Sequence, residues 1–238
     1  MKLISSRIAG HAVCAFLAIC ILTGCKKIAG LPLQENTDHV STTIDPHINE
    51  TAWQFLKDRA LGTSNFKDSI FYQMYLAIMY SGIDTAEYTT AGRTYIFLHN
   101  DAVNRKSNGV TQADSYFGKY KVGGVAATSW DQYPQEQVKN YLLSLIVDGE
   151  FTFENVGPDP SYEKSLMPPG TDSLNPESAI VFSVINDRNS RFTINGFPGS
   201  AFPAPNLAAP GLAARTGGIL STNGPIHVID RVLFYQTQ

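Results

Sequence analysis

The feature that most constrains this fold is a tight turn followed by an apolar run near the end of the chain. Asn223-Gly224 is a dipeptide typical of tight turns, and the residues after Pro225 are rich in Ile and Val. Strand alternation assigns the next residues to two faces: Ile226, Val228 and Asp230 to one, and His227, Ile229 and Arg231 to the other. We predict a closing strand over residues 226–235 that is central in a small sheet, with Ile226 or Ile229 and Val232 buried.

Helical patterns dominate the first half of the chain. Apolar residues at helical spacing predict one helix from Asp45-Pro46 to Gly62 and a second from Asp68 or Ser69 to Gly82. Asn100 or Asp101 would cap a short helix. Another helix is predicted to begin at Pro134, and its apolar positions are Val138, Leu142, Leu145 and Ile146.

Strand patterns dominate the second half. Strands are predicted at 94–98, which is β-branched and aromatic, and at 151–153, 179–185 and 191–194. Segments 155–177 and 197–211 hold five and four prolines, and both are predicted to be loops.

Two strings resemble the signature boxes of fasciclin-like (FAS1) domains. Residues 223–233 closely resemble the second box, N-G-V-I-H-V-I-D-x-V-L, with Pro225 as the clear departure, and residues 94–103 fit the frame of the first box. The resemblance implies an α+β fold in which small sheets form a wedge or sandwich against several helices, with long loops. It places a single domain over residues 45–238 and implies a non-catalytic adhesion or protein-interaction module. A Tyr-His pair that the family often carries falls on Ser144 and Leu145; it is absent, so its adhesion role is not carried over.

The N-terminus has the pattern of a secretion signal. Lys2 and Arg7 precede an apolar run too short for a permanent membrane helix, and the run ends in Leu22-Thr23-Gly24-Cys25. This string resembles the lipobox of bacterial lipoproteins. It implies that residues 1–24 are removed, that Cys25 is acylated and anchors the chain in a membrane, and that residues 25–44 are a flexible tether. Because Lys26 rather than Asp follows Cys25, we expect sorting to the outer membrane of a Gram-negative bacterium, on the periplasmic face or the cell surface.

Charge and cysteine content exclude several classes of function. Cleavage after Gly24 leaves 16 basic and 21 acidic residues, a net charge of −5, which gives nucleic acid no electrostatic attraction. Cys14 and Cys20 leave with the signal, so neither a disulfide nor a cysteine metal site is expected. The histidines His39, His47 and His99 have no metal-ligand spacing, and we expect no metal and no cofactor.

Binding residues are expected in the segments that enlarge the chain beyond its signature strings, namely 104–133, 155–177 and 197–211. The first offers Tyr116, Tyr120, Trp130 and Tyr133 as candidate binding residues. The alternative is that the aromatic residues of this segment pack over the core, Trp130 and Phe117 above all. Tyr116 and Tyr133 are the two we expect to be exposed. No catalytic residue is assigned: His227 is interpreted as a histidine satisfied inside the domain, and the carboxylate pairs Asp148/Glu150 and Glu154/Asp159 as solvated turns.

The sequence leaves three functions open. The leading hypothesis is a membrane-anchored, non-enzymatic interaction module of the cell envelope, whose partner is an envelope protein or an extracellular glycan. The second is a glycan-binding accessory lipoprotein of an outer-membrane nutrient-uptake system, which exposed aromatic residues would favour. A hydrolase is the third and least favoured.

Overall fold

The computed structural model describes residues 27–28, 31–32, 45–185, 190–196, 207–208 and 211–237. The chain divides into two compact units, Met1–Ile44 and Asp45–Gln238. In the first, β1 (Lys27–Ile28) pairs antiparallel with β2 (Leu31–Pro32). Residues 1–24 with the predicted signal, and Cys25 itself, lie outside the described residues. Among the described helices, none is both long and apolar enough to cross a membrane.

The second unit contains five α-helices within its described residues. They are α1 (Ala52–Leu61), α2 (Tyr72–Ser81), α3 (Asn100–Asn104), α4 (Tyr116–Lys119) and α5 (Gln135–Leu143). The Thr51 side chain caps α1 by accepting the Gln54 backbone N–H at 3.2 Å. Both α1 and α2 end at a glycine in the left-handed conformation, Gly62 and Gly82, as their sequence pattern predicts.

The central sheet has four strands in the order β12-β13-β3-β6. They are β3 (Arg93–Leu98), β6 (Ile146–Asp148), β12 (Thr216–Ser221) and β13 (Gly224–Ile229). Strand β13 runs parallel to β3, with Ile226 opposite Tyr95 and Ile229 opposite Leu98, and the other pairs are antiparallel. The two strings that resemble signature boxes therefore lie side by side as the middle strands of one sheet.

A second four-stranded sheet is antiparallel throughout, in the order β11-β9-β8-β7. Its strands are β7 (Ser161–Lys164), β8 (Ala179–Ile185), β9 (Arg191–Ile194) and β11 (Leu212–Ala213). Two short pairs complete the strands described: β4 (Lys106–Ser107) with β5 (Val110–Thr111), and β10 (Leu207–Ala208) with β14 (Gln236–Thr237).

Both faces of β13 are covered, which is why all its residues are buried. On one face, Ile226 and Val228 of β13 lie opposite Tyr95 and Phe97 of β3. The Phe97 ring packs against Phe71, just before α2, at 5.3 Å between centroids. On the opposite face His227 stacks on Phe192 of β9 at 3.7 Å, which joins the two sheets. This arrangement of small sheets and helices is the predicted α+β class, and the predicted burial of Ile226, Ile229 and Val232 is confirmed.

Several predicted element boundaries are wrong because long-range pairing decides them. Residues 45–50 are not helical: Leu220 donates its N–H to Pro46 O at 2.9 Å and accepts the Ile48 N–H at 2.8 Å, which holds this segment extended. Residues 151–153 are not a strand, since a turn covers residues 153–155; β13 ends at Ile229, and the predicted loop 155–177 contains β7. Residues 186–189, which join the strands predicted at 179–185 and 191–194, lie outside the described residues.

Candidate functional site

Asn223 is a hydrogen-bonding hub that ties the closing strand to the rest of the unit. Its Oδ1 accepts the Ala52 N–H at 2.8 Å, at the first residue of α1, and the Ser221 hydroxyl at 3.2 Å. Its Nδ2 donates to the Tyr95 hydroxyl at 2.6 Å and to the Tyr88 and Thr90 carbonyls. The side chain is buried, so these bonds are not shared with solvent. This asparagine serves the fold rather than a ligand.

Gly224 is required because the two central strands approach closely. Its φ is +145°, and a Cβ placed on it would lie 1.8 Å from the Arg93 carbonyl oxygen. That distance is far inside van der Waals contact, so no other residue fits without moving β3.

His227 is enclosed and neutral. The Gly218 N–H donates to Nδ1 at 3.2 Å, so Nε2 carries the proton and donates to the Phe151 carbonyl at 2.8 Å. Burial lowers the pKa of His227 to about 4, and the bond to Phe151 opposes that shift only in part. Both ring nitrogens are engaged and the ring is fully buried, which confirms the interpretation of His227 as a histidine satisfied inside the domain.

The charged residues that follow β13 form an ion-pair network. Arg231 Nε lies 2.7 Å from Asp114 Oδ2, and Arg231 also meets Asp230 at 2.9 Å. Arg105 pairs with the same Asp114 carboxylate, and Arg215 lies 3.5 Å from Asp230. These side chains are about a third exposed or more, so each pair contributes little to stability by itself. The network ties the end of the closing strand to the segment before α4.

Three of the four candidate binding residues are buried, and the predicted exposure of Tyr116 and Tyr133 is wrong. Their exposed fractions are 1% for Tyr116, 3% for Trp130 and 4% for Tyr133. The Trp130 indole N–H donates to the Gln73 carbonyl at 2.9 Å, and the Tyr133 hydroxyl donates to the Tyr120 carbonyl at 2.6 Å. Centroid distances of 4.8 Å between Tyr116 and Trp130 and 5.2 Å between Tyr116 and Tyr133 show one packed aromatic cluster.

The aromatic cluster nevertheless reaches the surface at an open cleft of about 520 Å³. We call it the tyrosine cleft, after the four tyrosines that line it: Tyr116, Tyr120, Tyr141 and Tyr235. Trp130 and Tyr133 are not among the lining residues. Segment 104–133 supplies Tyr116 and Tyr120, and the proline-rich segment 155–177 supplies part of the rim, including Asp172. Two of the three segments expected to hold binding residues therefore meet at one place.

The third such segment, 197–211, is described at residues 207–208 and 211. Strand β10 within it pairs with β14, with Ala208 opposite Gln236, which directly follows Tyr235 of the cleft. The remainder of that segment lies outside the described residues.

One face of α5 forms the polar side of the tyrosine cleft. Gln137, Asn140, Tyr141 and Ser144 line the cavity and follow the spacing i, i+3, i+4, i+7, so they share one face of the helix. The apolar face of the same helix points into the core through Val138 and Leu142. The sequence predicted this core face, but it gave no reason to single out the polar one.

Several phenol hydroxyls in the cleft lack an acceptor among the described residues. The Tyr116 hydroxyl accepts from Gln137 Nε2 at 3.3 Å and the Tyr141 hydroxyl accepts the Leu233 N–H at 3.3 Å, while Tyr120 makes no hydrogen bond through its hydroxyl. Burial raises the pKa of Tyr120 to about 12, with a smaller contribution from Asp172, and burial also raises the pKa of Tyr116 and Tyr141. At neutral pH these groups are therefore protonated donors.

The described lining of the cleft carries acidic but no basic side chains. Its described lining includes Glu136 and Asp172 and no lysine or arginine. Elsewhere, Asp148 of the predicted carboxylate pairs meets Arg93 at 3.2 Å. Within the part of the chain that the structure describes, no three His, Cys, Asp or Glu side chains are grouped so that they could hold a metal ion.

Comparison with known proteins finds no family model and no curated protein that matches this chain. Among solved structures, it is similar to a FAS1 domain pair from the insect cell adhesion molecule fasciclin I, at 13% sequence identity and a TM-score of 0.43. The similarity covers 69% of this chain and 45% of that chain, so this chain spans less than half the length of the domain pair. A FAS1 domain pair is thus a structural neighbour of this α+β protein.

Proposed function

We propose that this protein is a lipid-anchored, non-catalytic binding module of the bacterial cell envelope, and that the tyrosine cleft is its recognition surface. The observation that carries the proposal is the meeting of segments 104–133 and 155–177 at one cleft, beside the polar face of α5. The signature strands hold their own polar residues in internal hydrogen bonds, as Asn223 and His227 illustrate. The polar groups available for binding therefore lie in segments 104–133 and 155–177, which the rigid scaffold of strands and helices holds in place.

Anchoring through Cys25 is the second part of the proposal and rests on the lipobox-like string at residues 22–25. Cys25→Ala should abolish acylation and stop processing at Gly24, because the thiol is the acceptor of the lipid. Detergent phase partitioning and mass spectrometry of the N-terminus measure this. A Cys25→Ala chain that is processed normally and still enters the detergent phase would show that the chain is anchored in another way.

Recognition is tested by photo-crosslinking in the native envelope. A photoreactive amino acid at Asn140, inside the cleft, should capture a defined envelope component, because this side chain lies on the polar face of α5. The same amino acid at Thr89, an exposed residue that does not line the cleft, is the matched control. If both positions label envelope components equally, the cleft is not the recognition surface.

A second candidate function is a glycan-binding accessory lipoprotein of an outer-membrane nutrient-uptake system. The observation that favours it is the lining of the cleft, which combines tyrosines with neutral amides. Both proposals hold that the protein is not an enzyme. Incubating it with neutral oligosaccharides and measuring new reducing ends would test this, because a non-catalytic module releases none. If the protein hydrolyses an oligosaccharide and either Glu136→Gln or Asp172→Asn abolishes that activity, the protein is a hydrolase instead.

A further inference from the structure

We infer that the tyrosine cleft binds one or two sugar units of a neutral glycan. The inference rests on the proposed function, because it names the ligand class of the same surface. A cavity of about 520 Å³ lies within the range of small-ligand sites, and its size suits a short saccharide rather than a folded partner.

Hydrogen-bonding capacity is the first argument. Tyr120, Tyr116 and Tyr141 offer hydroxyl protons that no described protein group accepts. Asn140 and Gln137 add side-chain amides. Their side-chain oxygens accept no hydrogen bond from a described group. A ligand that fits this lining must donate and accept at several neighbouring points, which is the property of a polyhydroxylated sugar ring.

Charge is the second argument. Glu136 and Asp172 line the cleft and no described lining residue is cationic, while the nearby Lys119 ammonium lies over the ring of the lining residue Phe234 at 3.6 Å; two carboxylates against one cation disfavour an anionic ligand such as a phosphate. Carboxylates accept hydrogen bonds from neutral hydroxyl groups, so they add to the sites that a sugar could use.

Ring packing argues against an ammonium ligand. An aromatic cage for a quaternary ammonium needs free ring faces around the cation. In the cleft the Tyr116 ring packs against Tyr120 at 4.7 Å and against Tyr141 at 4.6 Å between centroids. The faces of Tyr116 are therefore used within the protein, and the hydroxyl groups remain for the ligand.

The decisive variant is Tyr120→Phe. It removes a hydroxyl that makes no hydrogen bond in the described structure, so the melting temperature should stay unchanged while ligand affinity falls. Asn140→Ala removes an amide from a helix position that alanine suits, so the fold should again be retained. The matched control is Tyr80→Phe, which removes a hydroxyl that donates to the Tyr133 carbonyl at 2.6 Å, outside the cleft lining. It should lower stability and leave affinity unchanged.

The assay is isothermal titration of the full mature chain with maltose, cellobiose, xylobiose, N,N′-diacetylchitobiose and their longer homologues, with choline and inorganic phosphate as further probes. At least one saccharide should bind with a Kd of about 10 µM to 1 mM, and Tyr120→Phe and Asn140→Ala should each weaken it by about tenfold. The inference is overturned if no saccharide binds at about 10 mM. It is overturned as well if both cleft variants bind like the wild type, or if choline or phosphate is the probe that binds.

The two proposals fail in different ways. If no saccharide binds but the photoreactive residue at position 140 still captures an envelope protein, the cleft remains a recognition surface and the ligand class is wrong. If neither experiment gives a signal, both the ligand class and the recognition surface are wrong.

Discussion

Protonation of His227 should make this protein lose stability in mild acid, and the structure gives the size of the effect. Burial lowers the pKa of His227 from 6.5 to about 4 in the folded protein, whereas the unfolded chain keeps the ordinary value. Between these two values the unfolded state binds the proton and the folded state does not, so stability falls as pH decreases. The contribution of neutral His227 to the free energy of unfolding is fully present well above pH 6.5. About 2 kcal/mol of it is lost by pH 5 and about 3 kcal/mol by pH 4.

The assay is urea unfolding of the Cys25→Ala chain at pH 7.5, 6 and 5, compared with the same chain carrying His227→Gln. The glutamine costs stability at every pH because it loses the stacking on Phe192, but its stability should change by about 2 kcal/mol less between pH 7.5 and 5. Carboxylates that titrate at lower pH are common to both chains and cancel in the difference. His99→Gln is the comparison variant: burial and Arg215 lower the pKa of His99, while Asp101 and Asp230 oppose the shift, so its effect has the same sign and is smaller. Identical pH dependence with and without His227 would refute the reasoning.

Three further changes test the closing strand, each by the urea midpoint of the purified chain. Asn223→Ala removes the hub and leaves the Ala52 N–H without its partner, so it should cost at least about 3 kcal/mol, and a loss below about 1 kcal/mol would contradict the hub. Gly224→Ala should prevent folding or cost more than about 3 kcal/mol, because its Cβ would overlap the Arg93 carbonyl, and a cooperative transition near that of the wild type would show that β3 can move aside. Ile229→Ala should cost about 2–5 kcal/mol because the side chain is fully buried, with Val125→Ala at an exposed position as the control near zero.

The sequence predicted best where local pattern and tertiary environment agree. Residues 179–185 and 191–194 were predicted as strands and are strands with those bounds, because their apolar and β-branched residues are buried in a sheet. The helix after Pro134 and the glycine ends of α1 and α2 were also predicted, since caps and helical periodicity are local signals. The central position of residues 226–229 followed from apolar residues on both faces of the strand, Ile226 and Val228 on one face and Ile229 on the other.

The errors fall where contacts distant in sequence decide the outcome. Asp45-Pro46 has the composition of a helix start, yet the segment pairs with Leu220, a residue that no local pattern connects to it. Tyr116 and Tyr133 were expected to be exposed because their segment was predicted to hold binding residues, but they pack against Trp130 and against each other. The cleft itself escaped prediction because it depends on α5 meeting α4 and the segment 155–177, and the polar spacing of Gln137, Asn140 and Ser144 alone does not distinguish a cleft from a solvent-exposed helix face.

The hydrogen bonds separate the residues that hold the fold together from those of the proposed recognition surface. Asn223 engages Ala52, Ser221, Tyr88, Thr90 and Tyr95, so replacing it breaks several contacts at once. The Tyr120 hydroxyl engages none of the described groups, so its loss leaves the folded state almost unchanged. We expect substitutions on the polar face of α5 to be tolerated for the same reason, because the core contacts of that helix come from its other face. We therefore expect substitutions in the cleft to leave the strands intact, whereas substitutions in the central strands should disrupt the cleft as well.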